Sequence, residues 1–199
     1  MPWAEFTALF LLATAMSFTP GPNTSLATAI AANRGLGPAM RFVLAVPLGW
    51  CLMLVLCAAG LGAAVTAAPA LRWFIKLAGI AYLLWLAWRL ARSRRLAQAD
   101  GSHLSVGFWE GVLLQFVNIK AWLMLLAIVA SWIIGREDAF ARLLLVLPVM
   151  AGFAFASNLA YASVGALARR WLAHGSRLLW FNRAMGLVLA ITALWMLGA

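Results

Sequence analysis

The chain has 199 residues, of which 66% are hydrophobic and 10% charged, with a mean hydropathy of +0.97. Soluble domains run at about 45–50% apolar and about 25% charged residues, so the composition excludes an ordinary soluble enzyme or binding module and points to lipid. The formal net charge of +10 would suggest nucleic acid in a soluble protein; here the basic residues gather between apolar runs, which reads as membrane topology, with the bilayer and no nucleic acid as partner.

Apolar stretches of about 20 residues predict six transmembrane helices. The first, Phe6 to Ala32, contains SFTPGPN at residues 17–23. Pro20 and Pro22 lack an N–H and disfavour helix in the residue before them, and Gly21 between them is permissive, so the helix is expected to break here. The break frees carbonyls before it and amides after it, which in hydrocarbon persist only against protein, water or a ligand. Thr19, Asn23, Thr24 and Ser25 stand beside it. MPWAEF has no basic segment and the apolar run is too long for a signal peptide, so this stretch is expected to remain as a helix.

The second stretch, Met40 to Val65, carries Cys51 and Cys57, which fall on different sides of a helix. That argues against a disulfide between them, and they read as packing residues. The third, Ala70 to Leu90, holds Lys76 and leads into the basic connection RSRRLAQADGSH. The fourth, Gly107 to Ile134, contains Lys120, with about 21 Å of helix after it and about 14 Å before it back to Glu110. That depth is near the bilayer centre, where a cation ordinarily has a partner. Glu110 is the one carboxylate inside the stretches away from their ends, and it is too far along the same helix, which leaves the cargo as counter-ion. The fifth, Ala139 to Leu167, contributes Ser157, Asn158 and Tyr161; the sixth, Leu178 to Leu197, contributes Arg183. Lys76, Arg183 and Glu110 are second-tier intramembrane charges, for which snorkelling to the interface is the competing reading.

Internal similarity divides the chain in two. WFIKLAG (residues 73–79) and WFNRAMG (180–186) open the third and sixth stretches, Arg41 and Arg142 each stand six residues before a proline, and FTPGPN aligns with FVNIKA. An odd number of spans per unit inverts the second copy, the plan of many secondary transporters, with the site at the midplane where the first helix of each repeat is interrupted. The expected fold is therefore an all-α integral membrane protein of six helices in two inverted three-helix repeats. It forms a single domain over residues 1–199: repeat one about 4–91, the basic cytoplasmic connection about 92–104, repeat two about 105–199. Nine arginines (Arg34, Arg41, Arg89, Arg92, Arg94, Arg95, Arg169, Arg170, Arg177) flank the odd connections and three (Arg72, Arg136, Arg142) the even ones. The positive-inside rule then puts both termini on the non-cytoplasmic side.

At the midplane, the helix N-terminus freed near Asn23 and the ammonium of Lys120 both favour an anion. Asn118, Asn158, Tyr161 and free carbonyls offer acceptors for an ammonium group, which together describe a zwitterionic amino acid.

TPGPNT, K-x-x-G-x-x-Y-L (residues 76–83), G-x-x-x-x-x-x-N-x-K-A (111–121) and F-N-R-x-x-G (181–186) resemble the LysE-type amino-acid exporters, in particular their homoserine/threonine efflux branch, along nearly the whole chain. The resemblance implies a bacterial inner-membrane exporter that moves small amino acids outward by proton exchange. The family shows N-P-K-A where this chain has N-I-K-A, and Ile119 in place of the proline leaves open whether the fourth helix is broken. Electron carriage would need a cysteine in each of the first and fourth stretches. Metal export would need carboxylates, thiols or imidazoles at the breaks, and a hydrolase would need a serine beside a base, whereas His103 and His174 both fall in connections. No enzyme activity, metal or cofactor is expected. A non-transporting membrane subunit, or an exporter of another small anionic or zwitterionic solute, remains the alternative, and a homo-oligomer is left open.

Overall fold

A computed structural model describes residues 1–93 and 106–198, and every regular element among them is helical. Most of the basic connection, with Arg94, Arg95 and His103, lies outside the described residues.

The first apolar stretch forms two helices, α1 (Trp3–Phe18) and α2 (Pro22–Arg34), with extended backbone at Thr19 and Gly21 between them. Pro22 takes the first helical position of α2, where its missing N–H would have no partner anyway. Every residue of α2 from Thr24 to Asn33 is buried. Its alanines, threonines and serine are small enough to let neighbouring backbones close in, as interfaces between membrane helices require.

Helix α3 (Leu36–Ala58) contains Pro47 and stops at Gly60, whose left-handed φ of 108° turns the chain into the short α4 (Leu61–Ala67). The second expected helix, Met40 to Val65, is thus shorter than its hydropathy, because LCAAGLGAAV is apolar throughout while the backbone turns inside it. Next come α5 (Pro69–Arg92) and α6 (Phe108–Phe116), then α7 (Ile119–Ile128), which ends in a π-helical turn (Val129–Ile133). Helices α8 (Ala139–Leu172), with Pro148 inside it, and α9 (Arg177–Gly198) complete the chain.

Helices α3, α5, α8 and α9 are each long and apolar enough to cross a membrane alone. The pair α6–α7 does so only as one element bent by 63° at its break. Ile119 therefore does not keep the fourth stretch straight: the chain breaks at Val117 and Asn118 without a proline.

The packing is reciprocal. The broken α1–α2 lies on α8, the broken α6–α7 lies on α3, and α5 packs on α9. Glycines set the closest approaches. A Cβ on Gly165 of α8 would stand 2.2 Å from the Thr28 carbonyl of α2, one on Gly49 of α3 would stand 2.8 Å from Val112 O of α6, and one on Gly186 of α9 would stand 2.8 Å from Ala87 O of α5.

Polar clasps tie the bundle at its two ends. Where α2, α5 and α9 meet, Asn33 and Asn182 exchange side-chain hydrogen bonds at 2.8 and 3.0 Å, and Asn182 also donates to Ser93 O at 3.0 Å. Where α1 begins, Arg142 bonds Glu5 at 2.5 Å and Asp138 at 2.6 Å. The guanidinium beside Asp138 holds its carboxyl below the usual carboxylate range.

Candidate functional site

The two helix breaks meet at one cavity of about 50 Å³, lined by Thr19, Gly21, Pro22, Asn23 and Thr24 from the first break and by Asn118 and Lys120 from the second. Helix α3 supplies Val46 and Trp50, and α8 supplies Met150, Ala154, Ser157 and Asn158.

Several of the polar groups freed by the first break have partners within the bundle. Phe18 O accepts from the Tyr161 hydroxyl at 3.0 Å, Thr19 O accepts from Lys120 Nζ at 2.8 Å, and Gly21 O accepts from Ser25 N at 2.9 Å. The Thr19 hydroxyl turns back to Ala15 O, and the Thr24 hydroxyl accepts from Gly21 N at 3.0 Å. The remaining free amides are those of Asn23 and Thr24, in the first turn of α2, where helix geometry leaves N–H groups without intrahelical partners. At the second break Phe116 O accepts from Trp122 Nε1 at 2.7 Å, and Asn118 O accepts from the amides of Ala121 and Trp122. The amides of Ile119 and Lys120 are free there by the same geometry. Two helix N-termini, with their partial positive charge, thus open onto one cavity.

Lys120 crosses from the second break to the first. Its chain lies against Gly21, where a Cβ would come within 3.2 Å of Cδ and 3.3 Å of Nζ. The ammonium meets a neutral carbonyl, and no carboxylate is among the described residues lining the cavity. On the acceptor side, Asn118 and Asn158 are each 3% exposed, and their Oδ1 atoms have no hydrogen-bond partner among the described residues. Asn158 Nδ2 is already committed to Ala154 O at 2.8 Å, which fixes the amide with its oxygen free. A cation and two helix N-termini suit a carboxylate; two unpaired buried amide oxygens suit N–H donors; Trp50, Met124 and Met150 give an apolar wall. At about 10–15 Å³ per water, the cavity of about 50 Å³ has room for only a few water molecules in this conformation.

Of the residues singled out in the sequence, Thr19, Pro22, Gly21, Asn23, Thr24, Asn118, Lys120 and Asn158 line or frame this cavity. Pro20 sits in the break itself, and Tyr161 acts one step removed, on Phe18 O. The second-tier charges are elsewhere. Lys76 donates to Leu197 O at 2.8 Å and lies over the Trp73 ring, and Arg183 stacks on Trp180. Glu110 caps α6 by accepting from Gly107 N at 3.1 Å and accepts from the Tyr82 hydroxyl at 2.6 Å.

One residue went unnoticed in the sequence. Gln115 is fully buried, and its amide exchanges hydrogen bonds with Asn23 at 2.8 and 3.2 Å, joining α6 to the start of α2. A glutamine inside an apolar run carries the same signal that drew attention to Asn118 three residues on.

An all-helical membrane bundle whose two interrupted helices enclose a cation and free helix ends is the architecture of a secondary transporter. Residues 14–198 match the family described as LysE type translocator. The chain is 30% identical over 183 residues to the cysteine/O-acetylserine efflux protein of Escherichia coli O1:K1 / APEC, across 92% of this chain and 89% of that one. It is 31% identical over 170 residues to the protein of the same name in Klebsiella pneumoniae subsp. pneumoniae (85% and 86%), and 29% over 175 residues to that of Salmonella typhimurium (88% and 86%). No solved structure matches. This chain belongs to the LysE family of translocators: it is a multi-pass membrane transport protein and not an enzyme. The family expected from TPGPNT and N-I-K-A is the one found, while the relatives named above carry the cysteine/O-acetylserine name in place of the homoserine/threonine one.

Proposed function

We propose that the protein exports small neutral amino acids or close derivatives from the cytoplasm, driven by proton exchange, and that the cargo binds where the two helix breaks meet. In this reading Lys120 and the helix N-termini at Asn23 and Ile119 hold the carboxylate. The free oxygens of Asn118 and Asn158 receive the ammonium group. Thr19, Pro20, Gly21 and Pro22 shape the first break, and Gln115 orients Asn23.

The observation that carries this reading is Lys120: a half-buried cation reaching from one broken helix to the other, with no carboxylate among the described residues that line the cavity. The names of the relatives, cysteine/O-acetylserine efflux proteins, support uncharged side chains of that size as the first cargo to try.

We place six crossings in the chain by counting α1 and α2 as one broken span, as α6 and α7 are one. The reciprocal packing of each broken element on the long helix of the other half, and of α5 on α9, supports two inverted repeats over about 4–91 and 105–199 within one domain. The excess of arginine at the odd connections supports both termini on the outer face of the bacterial inner membrane.

The test is counterflow of labelled amino acids in proteoliposomes, over a panel that includes cysteine, O-acetylserine, homoserine, threonine and lysine, with pH set separately on each side. The reading expects exchange of small neutral members, no exchange of lysine, and uphill export only with a proton gradient. A protein inert to the whole panel would favour the non-transporting subunit.

A further inference from the structure

A second, larger crevice lies beside the candidate cargo cavity. Between α5 and α7, closed at one end by α4, lies a cavity of about 350 Å³. It exists because Gly60 ends α3 early and lays α4 against α7, where Gly62 approaches Leu126 so closely that a Cβ would come within 2.9 Å of it. Its floor is Ile119, Trp122 and Leu126; Arg72 and Lys76, one helical turn apart on α5, stand in its wall.

The chemistry of this crevice is one-sided. Among the described residues no carboxylate lines it, and neither Arg72 nor Lys76 forms an ion pair. Lys76 gives one N–H to Leu197 O and keeps its others. Its one neutral hydroxyl, Thr66, is committed to the carbonyls of Gly62 and Ala63, and the Trp122 N–H is committed to Phe116 O. An ammonium group would find no free side-chain acceptor, so a zwitterionic amino acid is a poor occupant. An anionic head on an apolar tail fits both the cations and the floor, and basic pockets between membrane helices are where such lipids bind.

The geometry points to a binding site for one anionic phospholipid of the surrounding bilayer, its phosphate on Arg72 and Lys76 and its acyl chain against Ile119 and Trp122. The chain then buttresses the second helix break from outside, since Trp122 is the residue that satisfies the Phe116 carbonyl there. This inference rests on the protein being membrane-embedded and not on what it exports.

Native mass spectrometry of the purified full chain, titrated with phosphatidylglycerol or phosphatidylcholine, tests it. The parent should retain one phosphatidylglycerol preferentially. A basic residue near lipid headgroups counts for about fivefold in binding, so Arg72→Gln with Lys76→Gln should weaken retention by about 25-fold, each single variant by about fivefold, and Arg183→Gln, whose cation lies on α9 over Trp180, not at all. Equal retention of the two lipids by the parent protein would overturn the site without any variant being needed. So would a double variant that binds like the parent, or displacement of the bound lipid by millimolar serine, which would make the crevice part of a cargo route.

Discussion

Gly79→Ala is the most demanding check on how the second break is held. A Cβ at Gly79 would lie 2.0 Å from the Val117 carbonyl oxygen and 3.1 Å from its carbon, while ordinary contact begins near 3.4 Å, so α5 and the break must part by about 1.4 Å along that line. The obstacle is backbone and cannot swing aside as a side-chain tip would. Overpacking of this kind costs about 1–3 kcal/mol, the upper end where the obstacle is backbone, against which alanine recovers up to about 1 kcal/mol of helix propensity, leaving a net loss of about 2 kcal/mol. At about 2–4 °C per kcal/mol for a chain of this size, the melting temperature in detergent should fall by several degrees. Exchange should fall further than stability does, because Val117 adjoins Asn118 and Lys120. Gly152→Ala, on α8 where a Cβ meets nothing within 4 Å, is the matched control and should melt no lower than the parent. Thermal unfolding and counterflow on the same preparations read both quantities. If Gly79→Ala and Gly152→Ala behave alike, the close approach of α5 to the break is wrong.

Replacing Pro20, Gly21 and Pro22 together by alanine should let one continuous helix run through the break, in whose interior prolines would cost about 3 kcal/mol each and glycine about 1 kcal/mol, so the melting temperature should hold or rise while exchange is abolished because the amides and carbonyls at the break are consumed; an inserted variant that exports at the parental rate would refute this. Gln115→Leu leaves the half-buried Asn23 amide without its partner, so stability should drop by about 1 kcal/mol and apparent affinity for cargo should weaken, as thermal unfolding and concentration-dependent counterflow will report. A C-terminal reporter that fluoresces only in the cytoplasm should stay dark if both termini face outward, and bright fluorescence would invert the assignment.

The sequence was most legible where a residue's covalent structure dictates the backbone. Pro20 and Pro22 flank a glycine and together stop the helix, and the chain breaks between Phe18 and Pro22 as expected, whereas the single prolines Pro47 and Pro148 stay inside α3 and α8. The second break was legible only by alignment with the first, because Ile119 carries no breaking chemistry. Trp122 Nε1 closes on Phe116 O within the element itself, but the rest of what holds the break open is tertiary: Gln115 paired with Asn23, and Gly79 leaving room for the Val117 carbonyl. Such contacts join residues far apart in the chain and leave no local periodicity. The same holds for Lys120. Its depth could be counted along one helix, but its reach to Thr19 O depends on how two helices face each other. Hydropathy failed at Gly60 for the opposite reason, since a turn made of apolar residues looks like more helix.

In the proposed function, the cation joining the two breaks holds the cargo's carboxylate. The most direct measurement is counterflow by Lys120→Gln, in proteoliposomes carrying the same amount of inserted protein as the parent and with the amino acid the parent exchanges best. Glutamine keeps a donor for Thr19 O but removes the charge, so the account predicts no exchange above empty vesicles. Exchange at close to the parental rate would contradict it and would reduce Lys120 to a clip on the first helix break.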